Sequence, residues 1–160
     1  MQTRHYPEMF HDFKLPLPYW VVDPPRQIIW SFVFDRAMET FWTGHGLNAI
    51  NFIPGANKPI PGLGLITYIS GHPHDWVLEI FAEAGIFGVG AVILVALAHV
   101  LVPLRRYLAT PDPALLTASS VAVGFWVSGL FNYSFWSVWW LTVYAMTLAF
   151  CLAGTRSGET

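Results

Sequence analysis

Three apolar runs fill the second half of the chain and alternate with short polar breaks. They cover residues 86–104, 114–131 and 135–153. Because an α-helix rises about 1.5 Å per residue, some twenty apolar residues cross a hydrocarbon core of about 30 Å. The pattern therefore predicts an all-α integral membrane protein with three consecutive transmembrane helices. Residues 154–160 form a short tail after the third span.

Residues 1–85 follow a different pattern, which predicts two amphipathic helices and a connecting loop rich in glycine and proline. The first helix is predicted at about 27–42, where polar residues recur every four positions opposite apolar ones. It is too short and too charged to cross a bilayer, so we expect it to lie on the membrane surface. The second helix is predicted at about 73–85.

The start of the second helix is assigned from its proline. Pro73 suits the first helical position because its missing N–H would have no partner there, so His72 takes the cap position and Asp75 the third. Glu79 and Glu83 then repeat at four-residue intervals on the face of Asp75. Stacked carboxylates repel by roughly a few tenths of a kcal/mol per pair. We therefore expect this face to meet water, a cation or a polar substrate.

The arginines predict the orientation, because cytoplasmic loops close to span ends carry the excess of Lys and Arg. Arg105, Arg106 and Arg156 fall on one side, which predicts a cytoplasmic C-terminus and a periplasmic position for residues 1–85. The compartment would be a bacterial inner membrane. No apolar leader of a signal peptide is visible, and a polar segment of this length would be hard to export alone. We therefore expect the chain to be the C-terminal part of a longer protein.

Composition and charge support the membrane assignment and narrow the partners. The chain is 54% hydrophobic and 11% charged, whereas about a quarter of residues are charged in soluble domains. A net charge of -2 provides no basic surface for a phosphate backbone, so no nucleic acid is expected as a partner. The single cysteine, Cys151, lies inside an apolar run and is expected to pack as a small hydrophobe.

The candidate for proton transfer is His74. In the first turn of a helix, the positive end of the dipole disfavours protonation, so a neutral His74 can act as a general base. The alternative is that His72 and His74 are a helix cap and a solvated side chain, and the spacing alone favours it. Asp75 and Glu79 are ligand types that could join the two histidines at a metal ion, but side chains 72 and 74 diverge at a helix start, so no metal site is predicted.

Arg26 and Arg36 are the candidates for binding an anion. Near lipid headgroups, an arginine can hold a phosphate through two parallel hydrogen bonds. The alternatives are local pairing of Arg36 with Asp35 or Glu39, and a headgroup anchor for Arg26. The pattern alone does not choose between these interpretations.

From Arg26 to Gly90 the chain resembles the C-terminal region of the O-antigen ligase and O-antigen polymerase superfamily. That family combines an arginine, an aliphatic residue and a tryptophan with a Gly-x-Gly, and then a histidine, a leucine, an acidic residue and the glycines of a span. The matching positions are Arg26, Ile29, Trp30, Gly44, Gly46, His74, Leu78, Glu83, Gly85 and Gly88. The His-Pro-His triplet and the tryptophans at 136, 139 and 140 resemble the exopolysaccharide polymerase branch. One position departs from the pattern, because Asp75 stands where the family usually has asparagine.

The resemblance implies a metal-independent, inverting membrane glycosyltransferase of the multi-span C type, with no cofactor. It would act on an undecaprenyl-diphosphate-linked glycan donor in lipopolysaccharide or exopolysaccharide assembly. The acceptor would be another glycan or lipid A-core. His74 would take a proton from the acceptor hydroxyl, and Arg26, with Arg36 as a weaker candidate, would stabilise the leaving diphosphate. The supporting residues implied are His72, Asp75, Glu83, Gly44 and Gly46.

Two other classes of function stay open. The chain is interpreted alternatively as a non-catalytic remnant or scaffold subunit of a polysaccharide assembly system. A transporter fragment would require ionisable residues inside the spans, and His99 is the one candidate there. The sequence does not separate ligase from polymerase, since both use the same donor chemistry.

Overall fold

The computed structural model describes residues 22–155, which contain four α-helices and no β-strand. The helices are α1 (Pro24–Glu39), α2 (Trp76–Ala109), α3 (Pro113–Ser128) and α4 (Val138–Ala153), with a short 3-10 helix at Ile50–Phe52. The all-α prediction is thereby confirmed. Arg156, which contributed to the predicted orientation, lies outside the described residues.

Helix α2 changes direction at Gly85, where the backbone leaves the helical region with φ 65° and ψ -167°. We call residues 76–84 the N-terminal arm and residues 86–109 the apolar arm. Among the described residues, α2 is the one helix long and apolar enough to cross a membrane, and its most apolar stretch is mostly exposed. Helices α3 and α4 are apolar but have only 16 residues each.

The connection between α3 and α4 is longer than the polar break in the sequence. Residues 129–137, which we call the α3–α4 turn, lie outside both helices. The sequence predicts a break at 132–134 only, because Phe131 and Phe135 continue the apolar pattern. Tertiary contacts hold these residues out of the helices: Arg26 binds the carbonyl of Phe131 and Glu79 binds the N–H of Phe135.

The protein core forms where α1 packs against the N-terminal arm of α2. Ile29, Trp30 and Val33 of α1 are buried in one cluster with Ile80 and Phe81 of α2. Protein therefore covers the apolar face of α1, and the position of α1 on a membrane surface stays a prediction.

The carboxylate face of the N-terminal arm is also buried, because Glu79 and Glu83 are each only 1% exposed. The expectation that this face meets water, a cation or a polar substrate was wrong. The protein itself satisfies the carboxylates. Glu83 accepts hydrogen bonds from the backbone N–H groups of Asn48 (2.9 Å) and Ile50 (3.1 Å) and from the indole N–H of Trp136.

Two glycines allow the chain to cross itself at the end of the N-terminal arm. A Cβ placed on Gly44 would lie 2.2 Å from the carbonyl carbon of Glu83, and one on Gly85 would lie 2.3 Å from that of Trp42. Both glycines also have positive φ angles. The two backbone segments can approach this closely only if neither carries a side chain at the crossing, so both positions require glycine.

Backbone hydrogen bonds hold the crossing on both sides of the kink. The N–H of Gly46 donates to Glu83 O at 2.9 Å, and the N–H of Ile86 donates to Phe41 O at 2.8 Å. The Ile86 bond supplies a partner to the first N–H beyond the break in α2. The Gly-x-Gly segment and the start of the apolar arm are therefore one structural unit.

Gly44→Ala should destabilise the fold much more than Gly64→Ala. Both positions need a left-handed backbone, with φ +68° and +70°, but Gly64 has no heavy atom within 4 Å of an added Cβ. We expect Gly64→Ala to cost about 1 to 2 kcal/mol from φ strain, and Gly44→Ala to cost at least about 2 kcal/mol more through the clash. Thermal unfolding midpoints of the two variants in detergent measure the difference. Equal midpoints would contradict the close crossing.

Candidate functional site

The N-terminal arm of α2 begins after Asp75, not after His72. Asp75 is the cap residue, and its Oδ1 accepts from the N–H groups of Val77 (2.7 Å) and Leu78 (3.1 Å). The predicted cap at His72 was wrong, because a carboxylate satisfies two open N–H groups of the first turn where an imidazole does not. Burial raises the pKa of Asp75, and these two bonds oppose the shift.

The cap role bears on the position at which the chain departs from the pattern that it resembles. Asparagine and aspartate are both among the preferred N-cap residues, since each offers a side-chain oxygen to the first turn. Asp75 can therefore replace asparagine without loss of the helix start.

His74 precedes the cap and adopts a left-handed backbone with φ 60°. Its predicted place in the first helical turn was therefore wrong. Nδ1 of His74 lies 2.9 Å from the carbonyl oxygen of Asn132. A carbonyl oxygen only accepts, so Nδ1 carries the hydrogen and Nε2 of the neutral ring is left to accept a proton. Left-handed backbone at a residue other than glycine costs free energy and is frequent at functional sites.

His72 shares the same acceptor. Its Nε2 donates to Asn132 O at 3.3 Å, and its ring lies 4.2 Å from the ring of His74, centroid to centroid. Burial lowers the pKa of His72; a proton on His74 would act in the same direction, as does the charge of Arg26, and the bond to Asn132 opposes the shift. His72 therefore favours its neutral form.

Helix α1 contributes two side chains from one face to this region. Nη1 of Arg26 donates to Phe131 O at 2.8 Å, and the indole N–H of Trp30 donates to Pro73 O at 2.8 Å. Residues four apart lie on the same face of a helix. Trp30 therefore fixes the peptide between the two histidines while Arg26 reaches the α3–α4 turn. Nε of Arg26 also pairs with Asp23 at 3.1 Å.

Arg26, His72 and His74 thus meet at the adjacent carbonyl groups of Phe131 and Asn132. We call these three side chains the histidine–arginine cluster. Sequence reasoning proposed all three residues but missed the α3–α4 turn that brings them together. The available signal was the polar triplet at 132–134 between two apolar runs.

Arg36 lies outside this cluster. Its Nη1 pairs with Glu39 at 2.8 Å, and its guanidinium lies over the ring of Phe32, 5.8 Å from the centroid. Its backbone carbonyl accepts from Nε2 of His45 at 2.9 Å. Arg36 therefore forms the local ion pair with Glu39 that the sequence leaves open as the alternative to binding an anion.

Glu79 holds the α3–α4 turn in place. Its carboxylate accepts from the hydroxyl of Ser134 at 2.7 Å and from the N–H of Phe135. Burial raises the pKa of Glu79 to about 7, despite these two donors, and the charges of Glu83 and Asp75 add to the rise. Because the turn carries Asn132, Glu79 acts on the orientation of His74 without contacting it.

Within residues 22–155, no group of three or more His, Cys, Asp or Glu side chains is arranged to hold a metal ion. The histidine–arginine cluster offers a proton acceptor, Nε2 of His74, and a fixed cation, Arg26. This combination suits a reaction in which a hydroxyl loses a proton and an anionic group is bound.

Comparison with known proteins finds a distant relative. The chain is 24% identical over 126 residues to a protein of Rickettsia conorii that carries a provisional name as a polysaccharide ligase. The match takes in 73% of this chain and 28% of the relative, so the chain spans little more than a quarter of the relative's length. No family model matches the chain. No solved structure matches it.

The raised pKa of Glu79 predicts a stability that falls as pH rises. Between the ordinary value of 4.5 and about 7, the folded protein keeps a proton that the unfolded chain has released. The free energy of unfolding should therefore decrease from pH 4.5 to about pH 7 and then level off, by about 3 kcal/mol in all. Thermal midpoints across this pH range measure the slope.

Glu79→Gln is the matched variant for this prediction. The amide oxygen can accept from the N–H of Phe135, and the amide NH2 can donate to the hydroxyl oxygen of Ser134. The amide does not titrate, so the slope should flatten. Glu39→Gln is the control, because Glu39 is exposed and pairs with Arg36. The assignment fails if both variants keep the slope of the unmodified protein.

Proposed function

We propose that the chain is the catalytic part of a membrane glycosyltransferase that transfers or polymerises glycan from an undecaprenyl-diphosphate-linked donor. The observation that carries the proposal is the meeting of Arg26 and His74 at the carbonyls of Phe131 and Asn132. The distant polysaccharide ligase relative supports a glycan-processing role. The proposal covers both ligase and polymerase, since the two differ only in whether the acceptor is lipid A-core or another glycan.

In this proposal the apolar arm of α2 crosses the bacterial inner membrane, and α3 and α4 form two further, shorter spans. The exposed Arg105 and Arg106 at the end of the apolar arm face the cytoplasm. The histidine–arginine cluster, at the opposite end of α3, then lies at the periplasmic interface. A lipid-linked donor presents its diphosphate at that depth.

The proposed step is a single displacement. Nε2 of His74 takes the proton of the acceptor hydroxyl while its oxygen attacks the anomeric carbon, and the bond from that carbon to the diphosphate breaks. Attack from the opposite side inverts the configuration, and no covalent enzyme intermediate forms. The reaction requires no metal ion in this scheme.

Arg26 would stabilise the diphosphate as negative charge develops on it. A guanidinium has more N–H groups than its contacts with Phe131 and Asp23 use, so it can hold an anion without leaving the turn. The contact with Phe131 fixes its direction in advance. Preorganised donors of this kind lower the barrier because they need no reorientation during the reaction.

His74→Asn is the sharpest test of the general base. Asparagine tolerates the left-handed backbone and its amide can donate to Asn132, but it cannot take a proton. We expect transfer of glycan from purified lipid-linked donor to fall by about 100-fold or more at unchanged protein abundance. His72→Asn is the control, and we expect a much smaller loss from it. Full activity of His74→Asn would remove the general base from the proposal.

The same assay separates the alternative function. If the unmodified protein transfers no glycan, yet its deletion alters cellular polysaccharide and His74→Asn restores it, the chain acts as a scaffold. If the unmodified gene restores the polysaccharide in the deletion strain and the His74→Asn gene does not, the result favours the enzyme.

Arg26→Lys should reduce transfer nearly as much as Arg26→Ala. Lysine keeps the charge but loses the planar fork that binds two phosphate oxygens and Phe131 O together. Arg36→Ala is the control with an equal change of charge, and we expect activity close to that of the unmodified protein. Rates at saturating donor, compared at equal abundance, measure the effect. A fully active Arg26→Ala would exclude the diphosphate role.

A further inference from the structure

The loop after α1 exposes large apolar side chains instead of burying them. Trp42 is 61% exposed, Leu47 is 68% exposed and Phe52 is 83% exposed. Other apolar residues of the same loop, Ile50 and Ile53, are buried in the core. The loop therefore has a packed side and an apolar outer side.

Two hydrogen bonds fix the position of this loop relative to α2. Glu83 binds the N–H groups of Asn48 and Ile50, which lie between Leu47 and Phe52 in the chain. Glu83 lies two residues before the kink at Gly85, at which the apolar arm begins. The exposed side chains are thus held near the level at which the apolar arm begins.

The outer side of the loop is continuous with the apolar arm. The ring of Trp42 lies 5.5 Å from the ring of Phe87, centroid to centroid, and Phe87 is 67% exposed in the first turn of that arm. Tryptophan is enriched where a span leaves the hydrocarbon, because its ring is apolar and its N–H is polar. The Trp42–Phe87 pair therefore marks a boundary that fits the edge of a bilayer.

The absence of charge along this surface fits lipid as its occupant. From Thr40 to Asn57 the sequence contains no Asp, Glu, Lys or Arg. Its one histidine, His45, binds the carbonyl of Arg36. No charged side chain of this segment would have to leave water if the loop entered the apolar part of a leaflet, where charge is expensive to bury.

We propose that residues 42–52 form an interfacial wedge that inserts Trp42, Leu47 and Phe52 among the lipids of the leaflet next to the histidine–arginine cluster. The inference rests on the proposed crossing of the membrane by the apolar arm, but not on glycan transfer. The wedge takes the membrane-surface role that the sequence pattern assigned to α1, whose apolar face packs in the protein core. Its depth is fixed by Glu83 and by the glycine crossing.

The test attaches an environment-sensitive fluorophore to single cysteines in a Cys151→Ser background, with the full chain reconstituted in phosphatidylcholine vesicles. Leu47→Cys and Phe52→Cys report the wedge. Leu94→Cys, on the exposed surface of the apolar arm, reports whether that arm is in lipid, and Lys58→Cys, also exposed, reports water. Brominated acyl chains and aqueous iodide serve as the two quenchers.

We expect labels at 47 and 52 to be quenched several-fold more by brominated lipid than the label at 58, and several-fold less by iodide. The label at 94 should respond to lipid alone. Iodide quenching at 47 and 52 as strong as at 58 would overturn the wedge. Protection of 47 and 52 from both quenchers would also overturn it, because a protein surface would then cover them.

The label at 94 keeps the two proposals separate. If it responds to lipid while 47 and 52 do not, the wedge fails and the membrane crossing stands. If it responds to iodide, the crossing fails and the wedge fails with it. In the His74→Asn variant, for which we expect loss of glycan transfer, the quenching of all four labels should be unchanged.

Discussion

The described structure depends on the burial of two carboxylates, Glu79 and Glu83, in the N-terminal arm of α2. A carboxylate removed from water without partners is very costly, so each must find donors inside the protein. Glu83 accepts hydrogen bonds from the loop at 48–50 and from the indole of Trp136. Glu79 accepts hydrogen bonds from Ser134 and Phe135. Two segments that lie outside the α-helices thereby take fixed positions against α2.

The candidate site follows from this arrangement. Once Glu79 holds the α3–α4 turn, the carbonyls of Phe131 and Asn132 point to the side on which α1 and the His-Pro-His segment lie. Arg26 and His74 then bind adjacent carbonyls, and the bond to Asn132 selects the tautomer of His74. A proton acceptor and a cation are oriented by backbone atoms, which have less freedom than side chains.

The kink at Gly85 separates a polar, tightly bonded region from an apolar one. Before the kink, buried carboxylates accept hydrogen bonds from backbone N–H groups. Beyond the kink, α2 exposes mostly apolar side chains. The crossing with Gly44 couples the two regions, because the segment that contacts the kink at Gly44 continues directly into the loop that Glu83 binds. A displacement of the apolar arm would therefore also move the loop that Glu83 binds.

The sequence by itself determined the helical class, the apolar runs, and the identity of Arg26, His72 and His74 as candidates, because periodicity and residue chemistry are local properties. It placed the cap at His72 and predicted that the carboxylates meet water, a cation or a polar substrate, since a sequence pattern cannot reveal which donors distant segments will supply. Only the tertiary structure decided that Asp75 caps the helix, that Arg36 pairs with Glu39, and that Glu79 and Glu83 are buried. The burial of Glu79 and Glu83 depends on donors far apart from them in the chain, because the cost of an unpaired buried charge outweighs local preference. The cap at Asp75 and the Arg36–Glu39 pair are local contacts, which the pattern offers beside others without choosing among them.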